Sequence, residues 1–168
     1  MKEINGGKFM EPIEADNIGI EDDKEDEGGL YPNTKILFVD DLEFIRSVMK
    51  KFLYLFDYKR IFFAANGQNA LQMIQKAIKE NKPFDMVITD DVMGGPEDGG
   101  LTLCEAIDNL EEFERPIVVV SPGAMNEEIV DSFKKMGVSH FLPKPFEIKK
   151  VKDFLGKVLK KHFEKKES

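Results

Sequence analysis

The sequence lacks a long apolar run, and it has a single cysteine. No uninterrupted apolar segment approaches the ~20 residues that a bilayer-crossing helix needs. The amino terminus also lacks the basic start and apolar centre of a signal peptide. Cys104 on its own cannot form an intramolecular disulfide, and it fits a reducing compartment as an apolar filler on a helix. These absences predict a cytoplasmic protein with no membrane partner.

Positive charge is scarce at the amino terminus. The net charge is -8, and residues 1–30 hold ten acids against three lysines, so that almost all of the excess lies there. The remainder is near neutral and ends in a lysine-rich stretch. No basic patch is interleaved with the aromatic residues that stacking on bases requires, and we therefore expect no nucleic-acid partner.

Residues 1–30 show no helical or strand period and contain two glycine pairs, which predicts a disordered acidic arm. Deletion of such an arm leaves stability nearly unchanged. The alternative is an arm that folds back on the lysine-rich last helix, so that its deletion causes a salt-sensitive loss of stability. The chain length suits one core domain, expected over residues 33–164 and followed by a short tail at 165–168.

From Thr34 onward, short apolar runs alternate with amphipathic helical segments, as in βα units. Apolar residues at helical spacing predict five helices, the fourth closed by Gly137 as a C-cap and the fifth following Pro145. Parallel strands need right-handed crossovers, so we expect an α/β fold with a (βα)5 doubly wound parallel five-stranded sheet. The expected strands are Lys35–Val39, Arg60–Ala64, Phe84–Thr89, Ile117–Val120 and Ser139–Leu142.

Polar residues follow the strands where each one ends. The first strand ends in Asp40-Asp41, the third in Asp90-Asp91, the fourth in Ser121, and the fifth is followed by Lys144. Doubly wound sheets bind ligands beyond the carboxyl ends of their strands. Two carboxylates ~4 Å apart repel by about 4 kcal/mol at an effective dielectric near 20, so such a cluster calls for a cation such as Mg2+. Because aspartates form acyl phosphates, the crevice predicts phosphoryl transfer to aspartate.

The motifs ILFVDD, DMVITDD, VVVS and FLPKPF resemble those of the response-regulator receiver domain, and the match covers residues 34 to about 164. The resemblance implies a flavodoxin-like receiver fold and a cis peptide between Lys144 and Pro145. It also implies the following roles: Asp90 as phosphoacceptor; Asp40, Asp41, Asp90 and the backbone carbonyl of Val92 as Mg2+ ligands; Lys144 as the family's invariant lysine; and Ser121 and Phe141 as the switch residues.

The same resemblance implies partners and an output. A histidine kinase or a phosphotransfer protein of a two-component or phosphorelay system donates the phosphoryl group. A downstream protein reads the face formed by the fourth helix, fifth strand and fifth helix. Such a protein is a signalling phosphoacceptor that promotes its own phosphoryl transfer and dephosphorylation, and not an enzyme with a separate substrate. Because the chain ends soon after the fifth helix, we expect a stand-alone receiver.

Two departures from the family favour an alternative function. Gly94 replaces a usual proline and the loop up to Gly100 is about two residues longer, while Pro122, which has no N–H, follows Ser121. The alternative is an interaction module of receiver fold that works without phosphorylation. A phosphatase of the haloacid dehalogenase type needs a second Asp two residues after its nucleophile, where this chain has Leu42 or Val92.

Each site residue also has a simpler interpretation. The Asp40-Asp41 pair can cap the following helix, with Asp41 as cap and ligand at once. Ser121 can be a turn residue and Phe141 a core residue. Asp91 is expected to face solvent. His140 and His162 lack metal-like spacing, which assigns them surface or structural roles.

Overall fold

Strands and helices alternate along the whole of the described chain. The computed structural model describes residues 31–95, 99–110 and 113–167, and within them each of five strands is followed by a helix. This order confirms the predicted (βα)5 arrangement. The elements are β1 (Lys35–Val39), α1 (Glu43–Leu55), β2 (Arg60–Ala64), α2 (Gly67–Lys79), β3 (Met86–Asp90), α3 (Gly100–Asp108), β4 (Ile117–Ser121), α4 (Glu127–Lys135), β5 (His140–Phe141) and α5 (Ile148–Glu167).

The strands form one parallel sheet in the order β2-β1-β3-β4-β5. The three central strands, KILFV, MVITD and IVVVS, are buried along their full length. Such strands read as near-continuous apolar runs because helices cover both faces of a parallel sheet. The order also makes β1, β3, β4 and β5 neighbours, as the predicted crevice requires.

Alternate strand residues supply two separate cores, since successive side chains point to opposite faces of a sheet. On one face, Leu37 and Val39 pack with buried residues of α2, α3 and α4. On the other, Ile36 and Phe38 pack with buried residues of α1 and α5. Helices cover both faces of the three central strands, so residues of these strands approach the surface at the carboxyl edge of the sheet.

The strand ends differ from the predictions at the site itself. β1 and β2 match, but β3 begins at Met86 instead of Phe84 and reaches Asp90, and β4 extends to Ser121. Asp90 and Ser121 are paired in register, which carries both strands one residue further than predicted. β5 is only two residues long instead of four, because its ladder with β4 covers only His140 and Phe141.

Two local features agree with expectation. Gly137 has a φ of 74° just beyond the C-cap of α4, a left-handed conformation that glycine adopts readily. The peptide between Lys144 and Pro145 is cis. At the other end of the domain, α5 continues through the predicted tail as far as Glu167. The predicted arm, residues 1–30, lies outside the described residues, and no helix of the described part is long and apolar enough to span a bilayer.

Candidate functional site

Three carboxylates meet at the carboxyl edge of the sheet. Asp40 directly follows β1, Asp41 is the next residue, and Asp90 ends the neighbouring strand β3. One oxygen from each of the three lies within 4.8 Å of the others. Asp40 is fully buried and Asp90 is 7% exposed, whereas Asp41 is exposed. The structure therefore brings together the acids that the sequence singled out.

Lys144 enters this cluster from the loop after β5. Its Nζ lies 2.9 Å from Asp90 Oδ2, to which it donates a hydrogen bond, and 2.7 Å from Asp40 Oδ2. The second contact is a close ion pair that lacks hydrogen-bond geometry. Burial alone would lower the pKa of Lys144, but its contacts with Asp40 and Asp90 outweigh burial and raise that pKa. The ammonium group therefore stays charged and faces both acids.

Asp90 is the acid with the most perturbed titration. Burial raises its pKa to about 6, the contact with Lys144 acts in the opposite direction, and the charge of Asp40 adds to the rise. The amide of Asp91 donates a hydrogen bond to Asp90 Oδ1 at 2.9 Å. At neutral pH Asp90 is thus mostly a carboxylate, with one oxygen held by an amide and the other by an ammonium group. A buried, ionised carboxylate of this kind is a candidate nucleophile.

The donor set fits a hard divalent cation. Asp40 Oδ2 is buried, and no hydrogen bond reaches it from the part of the chain that the structure describes. The Lys144 ammonium, 2.7 Å from this oxygen, supplies one positive charge to a cluster of three carboxylates, and a divalent cation would offset the negative charge that remains. Clustered carboxylate oxygens are the ligands that Mg2+ takes, usually with waters and a phosphoryl oxygen. Val92 follows Asp90 by two residues and is 73% exposed.

Leu42, the N-cap residue of α1, and Arg46, in the first turns of that helix, hold the two acids after β1 in place. The Leu42 amide donates to Asp40 Oδ1 at 2.9 Å. Arg46 Nη1 donates to the carbonyl oxygens of Asp40 at 2.7 Å and Asp41 at 3.0 Å. Sequence reasoning missed Arg46, although a cation one turn into the helix that follows two acids is a usable signal.

Asp41 does not cap α1. The N-cap residue is Leu42, and no side chain accepts a hydrogen bond there. The nearest partner of the Asp41 carboxylate is the Gly94 amide, at a long 3.4 Å. The interpretation of Asp41 as a helix cap is therefore wrong, because the helix begins one residue too late for it. The Asp41 carboxylate remains available to the metal cluster.

Gly100 places the start of α3 directly against the end of β3. Its amide donates to the Asp91 carbonyl at 3.1 Å. A Cβ at this position would lie 2.1 Å from the carbonyl oxygen of Asp90. Only glycine allows such an approach of two backbones. Sequence reasoning noted Gly100 as the end of a loop and missed this role, for which a Gly-Gly pair opening a helix is the available signal.

Ser121 lies beside Asp90 on the neighbouring strand. It is fully buried, and in the described part of the chain its Oγ has no hydrogen-bond partner. Pro122, which follows it, is also buried and offers no N–H to the crevice. Phe141 is half-buried and packs against the core under α2, α3 and α4, one register position from Ser121. The structure thus places Ser121 beside Asp90, and Phe141 on β5, which lies on the other side of β4.

Two further expectations concern charged residues outside the cluster. Asp91 is half-buried, so the expectation that it faces solvent is met only in part, and its backbone is held on both sides, by Asp90 and by Gly100. His140 and His162 are partly buried, and burial lowers the pKa of both imidazoles. Together with Arg115 they line a cavity at the start of β4 and β5, at the opposite edge of the sheet from the acids.

The loop after β3 takes a path that a proline cannot follow. Gly94 has a φ of 56°, whereas the proline ring holds φ near -65°. Where the family usually has a proline, Gly94 therefore gives the chain a backbone conformation that proline cannot adopt. Residues 96–98 of the lengthened loop lie outside the described residues.

Comparisons with known proteins agree with this geometry. The family model for the response regulator receiver domain matches residues 36–155. Chemotaxis protein CheY-3 of Vibrio cholerae serotype O1 is 31% identical over 133 residues, which are 79% of this chain and 96% of that protein. A crystal structure of Vibrio cholerae CheY4 is 26% identical, with a TM-score of 0.66, over 75% of this chain and 98% of that one.

A further solved structure shares the fold. CheY of Borrelia burgdorferi, in its complex with CheX, BeF3 and Mg2+, is 22% identical, with a TM-score of 0.65, over 75% of this chain and 89% of that one. The sheet order and the acid cluster agree with this family match. The chain belongs to the response regulator receiver domain family.

Proposed function

We propose that the protein is the phosphoacceptor of a two-component or phosphorelay system, and that Asp90 receives the phosphoryl group from a histidine kinase or a phosphotransfer protein. The observation that carries the proposal is the position of Asp90. It is a buried carboxylate that contacts Lys144, stands in register with Ser121, and lies in one cluster with two further acids.

The side chains divide the work of the transfer. A carboxylate oxygen of Asp90 forms the new P–O bond, and the phosphorus loses its bond to the donor, which leaves with that electron pair. Lys144, already charged, moves its hydrogen bond from Asp90 to an oxygen of the incoming group. Asp40, Asp41, Asp90 and the Val92 carbonyl would hold Mg2+, which offsets the negative charge of the transferred group.

The protein speeds its own chemistry and does not turn over a separate substrate. The acids and the lysine that favour attack on Asp90 are the same groups that surround the acyl phosphate when water attacks it. Promotion of both phosphorylation and dephosphorylation follows from that shared pocket. We place the protein in the cytoplasm, where it would meet its proposed kinase or phosphotransfer partner. The reducing conditions of that compartment also suit a free cysteine.

The switch uses Ser121 and Phe141. The buried Ser121 Oγ, which has no partner in the described part of the chain, can donate to a phosphoryl oxygen once the following loop moves inward. That movement leaves room for Phe141 to turn toward the core. A downstream protein then reads the face of α4, β5 and α5. Because Pro122 adds no amide donor, the shift between states is partial, and the partner binds the unphosphorylated form detectably.

Intact-mass measurement tests the phosphorylation. With Mg2+ and acetyl phosphate the protein should gain ~80 Da, the mass of one acyl phosphate on an aspartate nucleophile. Asp90→Ala should remove the adduct, Asp40→Ala should slow its formation by removing a metal ligand, and Asp91→Asn should leave it in place. Absence of any adduct with both a small donor and a cognate kinase would contradict the proposal.

NMR tests the switch. Beryllofluoride, which the Borrelia CheY complex contains, mimics a phosphoryl group, and its addition with Mg2+ should shift resonances at Phe141 and along α4. Ser121→Ala should keep the shifts near Asp90 and lose those at Phe141. If all shifts stay within the pocket of the unsubstituted protein, the protein is a phosphate relay or sink and not a switch.

One observation supports a second candidate. Pro122 offers no amide, and the backbone at Gly94 departs from what a proline permits, so two sides of the phosphoryl pocket differ from the family pattern. An interaction module of receiver fold that works without phosphorylation fits those differences. A partner whose affinity is the same for the unsubstituted protein and for Asp90→Ala, with and without acetyl phosphate, would favour this second function.

A further inference from the structure

α5 carries a surface rich in positive charge. The helix contains eight lysines against three acids. Its buried side, with Val151, Leu155 and Leu159, faces the core. Four exposed lysines lie on the opposite side and are called the lysine face: Lys149, Lys157, Lys160 and Lys161.

Acids on the helix offset the lysine face only in part. In the described part of the chain, the lysines of α5 that form ion pairs are Lys150, with Glu147, and Lys166, with Glu114. Asp153 and Glu164 lie on the same side as the lysine face and are outnumbered by it. Lys157 and Lys161 are four residues apart, a spacing at which like charges on a helix repel. The face therefore carries four lysines against these two acids, which leaves it a net positive charge.

The chain enters the fold beside this face. The ring of Tyr31 stacks on the ring of Phe163, with 4.5 Å between centroids. Thr34 fixes the Tyr31 carbonyl with two hydrogen bonds, from its amide at 3.0 Å and from its Oγ1 at 2.7 Å. Tyr31, the first described residue, therefore lies at the last turns of α5, one turn from Lys160.

An acidic run lies within reach of the lysine face. Residues 21–27, with the sequence EDDKEDE, hold six acids and one lysine. They precede Tyr31 by four to ten residues, which an extended chain spans in about 13–33 Å. Along α5, the fourteen residues from Lys149 to Phe163 cover about 21 Å. The acidic run can thus lie along the whole face without any movement of the domain.

We infer that residues 21–27 bind the lysine face of α5 in the same chain. Each exposed ion pair is weak and is screened by salt, but the tether at Tyr31 supplies an effective concentration in the ~mM range. The contact is therefore intramolecular and salt-sensitive. A partner that binds the lysine face of α5 has to displace the acidic run first. The run therefore competes with acidic partners for that face. This inference does not depend on phosphorylation.

Zero-length carbodiimide cross-linking of the full chain tests the contact. The reagent joins carboxylates to amines in direct contact, and mass spectrometry locates the links. At ~0.1 M salt we expect intrachain links from residues 21–27 to Lys157, Lys160 and Lys161, and about a tenfold loss at ~1 M salt, where the Debye length falls to ~3 Å. Lys59 and Lys82 serve as internal controls, because both are exposed and lie at the same edge of the sheet as Tyr31.

Three outcomes would overturn the inference: links to Lys59 and Lys82 as frequent as those to α5, links that survive ~1 M salt, or links that join two chains, which assign the face to a second copy. A matched pair of variants adds an independent readout. NMR amide shifts are compared between the full chain and a chain in which residues 21–27 are neutralised. K157Q/K160Q/K161Q should remove the differences between these two chains. Glutamine is used because it keeps the helix propensity of lysine. K59Q/K82Q should preserve those differences, and equal behaviour of the two variants would also refute the contact.

Discussion

Asp90 is kept in a buried position that its neighbours only partly stabilise. It is 7% exposed, its pKa is raised to about 6 by burial, and the hydrogen bond from Lys144 opposes that rise. In the unfolded chain the pKa of an aspartate is near 3.9. The folded state therefore holds the Asp90 proton more tightly than the unfolded state does. The raised pKa means that ionised Asp90 lowers stability at neutral pH.

Asp90→Asn should stabilise the protein at neutral pH in the absence of divalent ions. Protonated Asp90 contributes fully to the free energy of unfolding below about pH 4, and this contribution is lost as the pH rises through about 6. Asparagine stays neutral at every pH, so the variant becomes more stable than the unsubstituted protein over that pH range. Above about pH 7 we expect a gain on the order of 2 kcal/mol. Urea unfolding in EDTA at several pH values measures it. The exposed Asp153→Asn is the control, and a gain that is equal at pH 4 and pH 7 would contradict the argument.

Cys104 should be unreactive in the folded protein. The thiol is fully buried in the core under α2, α3 and α4, and burial raises its pKa to about 12. The thiolate is the reactive form, so both access and ionisation oppose modification at neutral pH. We expect a disulfide reagent to label the native protein only at the rate of unfolding, and to label it at once in denaturant. Prompt stoichiometric labelling without denaturant would show that α3 opens locally.

At the scale of elements, the strands show where sequence patterns are informative. β1 and β2 are predicted to the residue, because β1 is an unbroken apolar run and β2 is rich in aromatic residues. β5 is shorter than its four predicted residues because its ladder with β4 covers only two residue pairs. The extension of β3 to Asp90 and of β4 to Ser121 depends on register between distant segments. A linear pattern does not specify that register.

Two helix glycines make a matched pair at the element scale. A Cβ at Gly100 would lie 2.1 Å from the Asp90 carbonyl oxygen, whereas a Cβ at Gly156, in α5, meets nothing within 4 Å. Gly100→Ala should force α3 away from β3, with a cost of about 2 kcal/mol or more and slower phosphorylation. Gly156→Ala should stabilise the fold by about 0.5–1 kcal/mol, because alanine favours the helix.

Thermal unfolding and acetyl phosphate uptake, measured on both glycine variants, test this pair. A Gly100→Ala protein with unchanged melting temperature would mean that the loop up to Gly100 absorbs the methyl group. An equal loss in Gly156→Ala would mean that helix propensity does not govern that part of α5.

At the scale of the whole molecule, the site is predictable where it depends on topology. A doubly wound sheet gathers the carboxyl ends of its strands at one edge, which predicts that Asp40, Asp90 and Ser121 meet. The contribution of Arg46 and the approach of Gly100 depend on how helices dock, which the sequence does not specify. Both residues contact backbone carbonyls of the acidic residues, and every residue has a carbonyl, so the sequence does not indicate which one is contacted.

Magnesium should stabilise the entire fold, because its proposed ligands come from β1 and β3 and from the loops that follow them. An ion that binds only the folded state adds about 1.4 kcal/mol for each tenfold rise in concentration above its dissociation constant. Unfolding in a Mg2+ series against EDTA, at constant ionic strength, should show that slope. Asp40→Asn should shift its onset to higher Mg2+, since it removes the buried carboxylate whose Oδ2 accepts no hydrogen bond in the described chain. Asp153→Asn should leave the onset unchanged. A stability that does not change with Mg2+, or that rises equally with Na+, would remove the metal from the proposed site and leave Lys144 as the sole counter-charge to the acids.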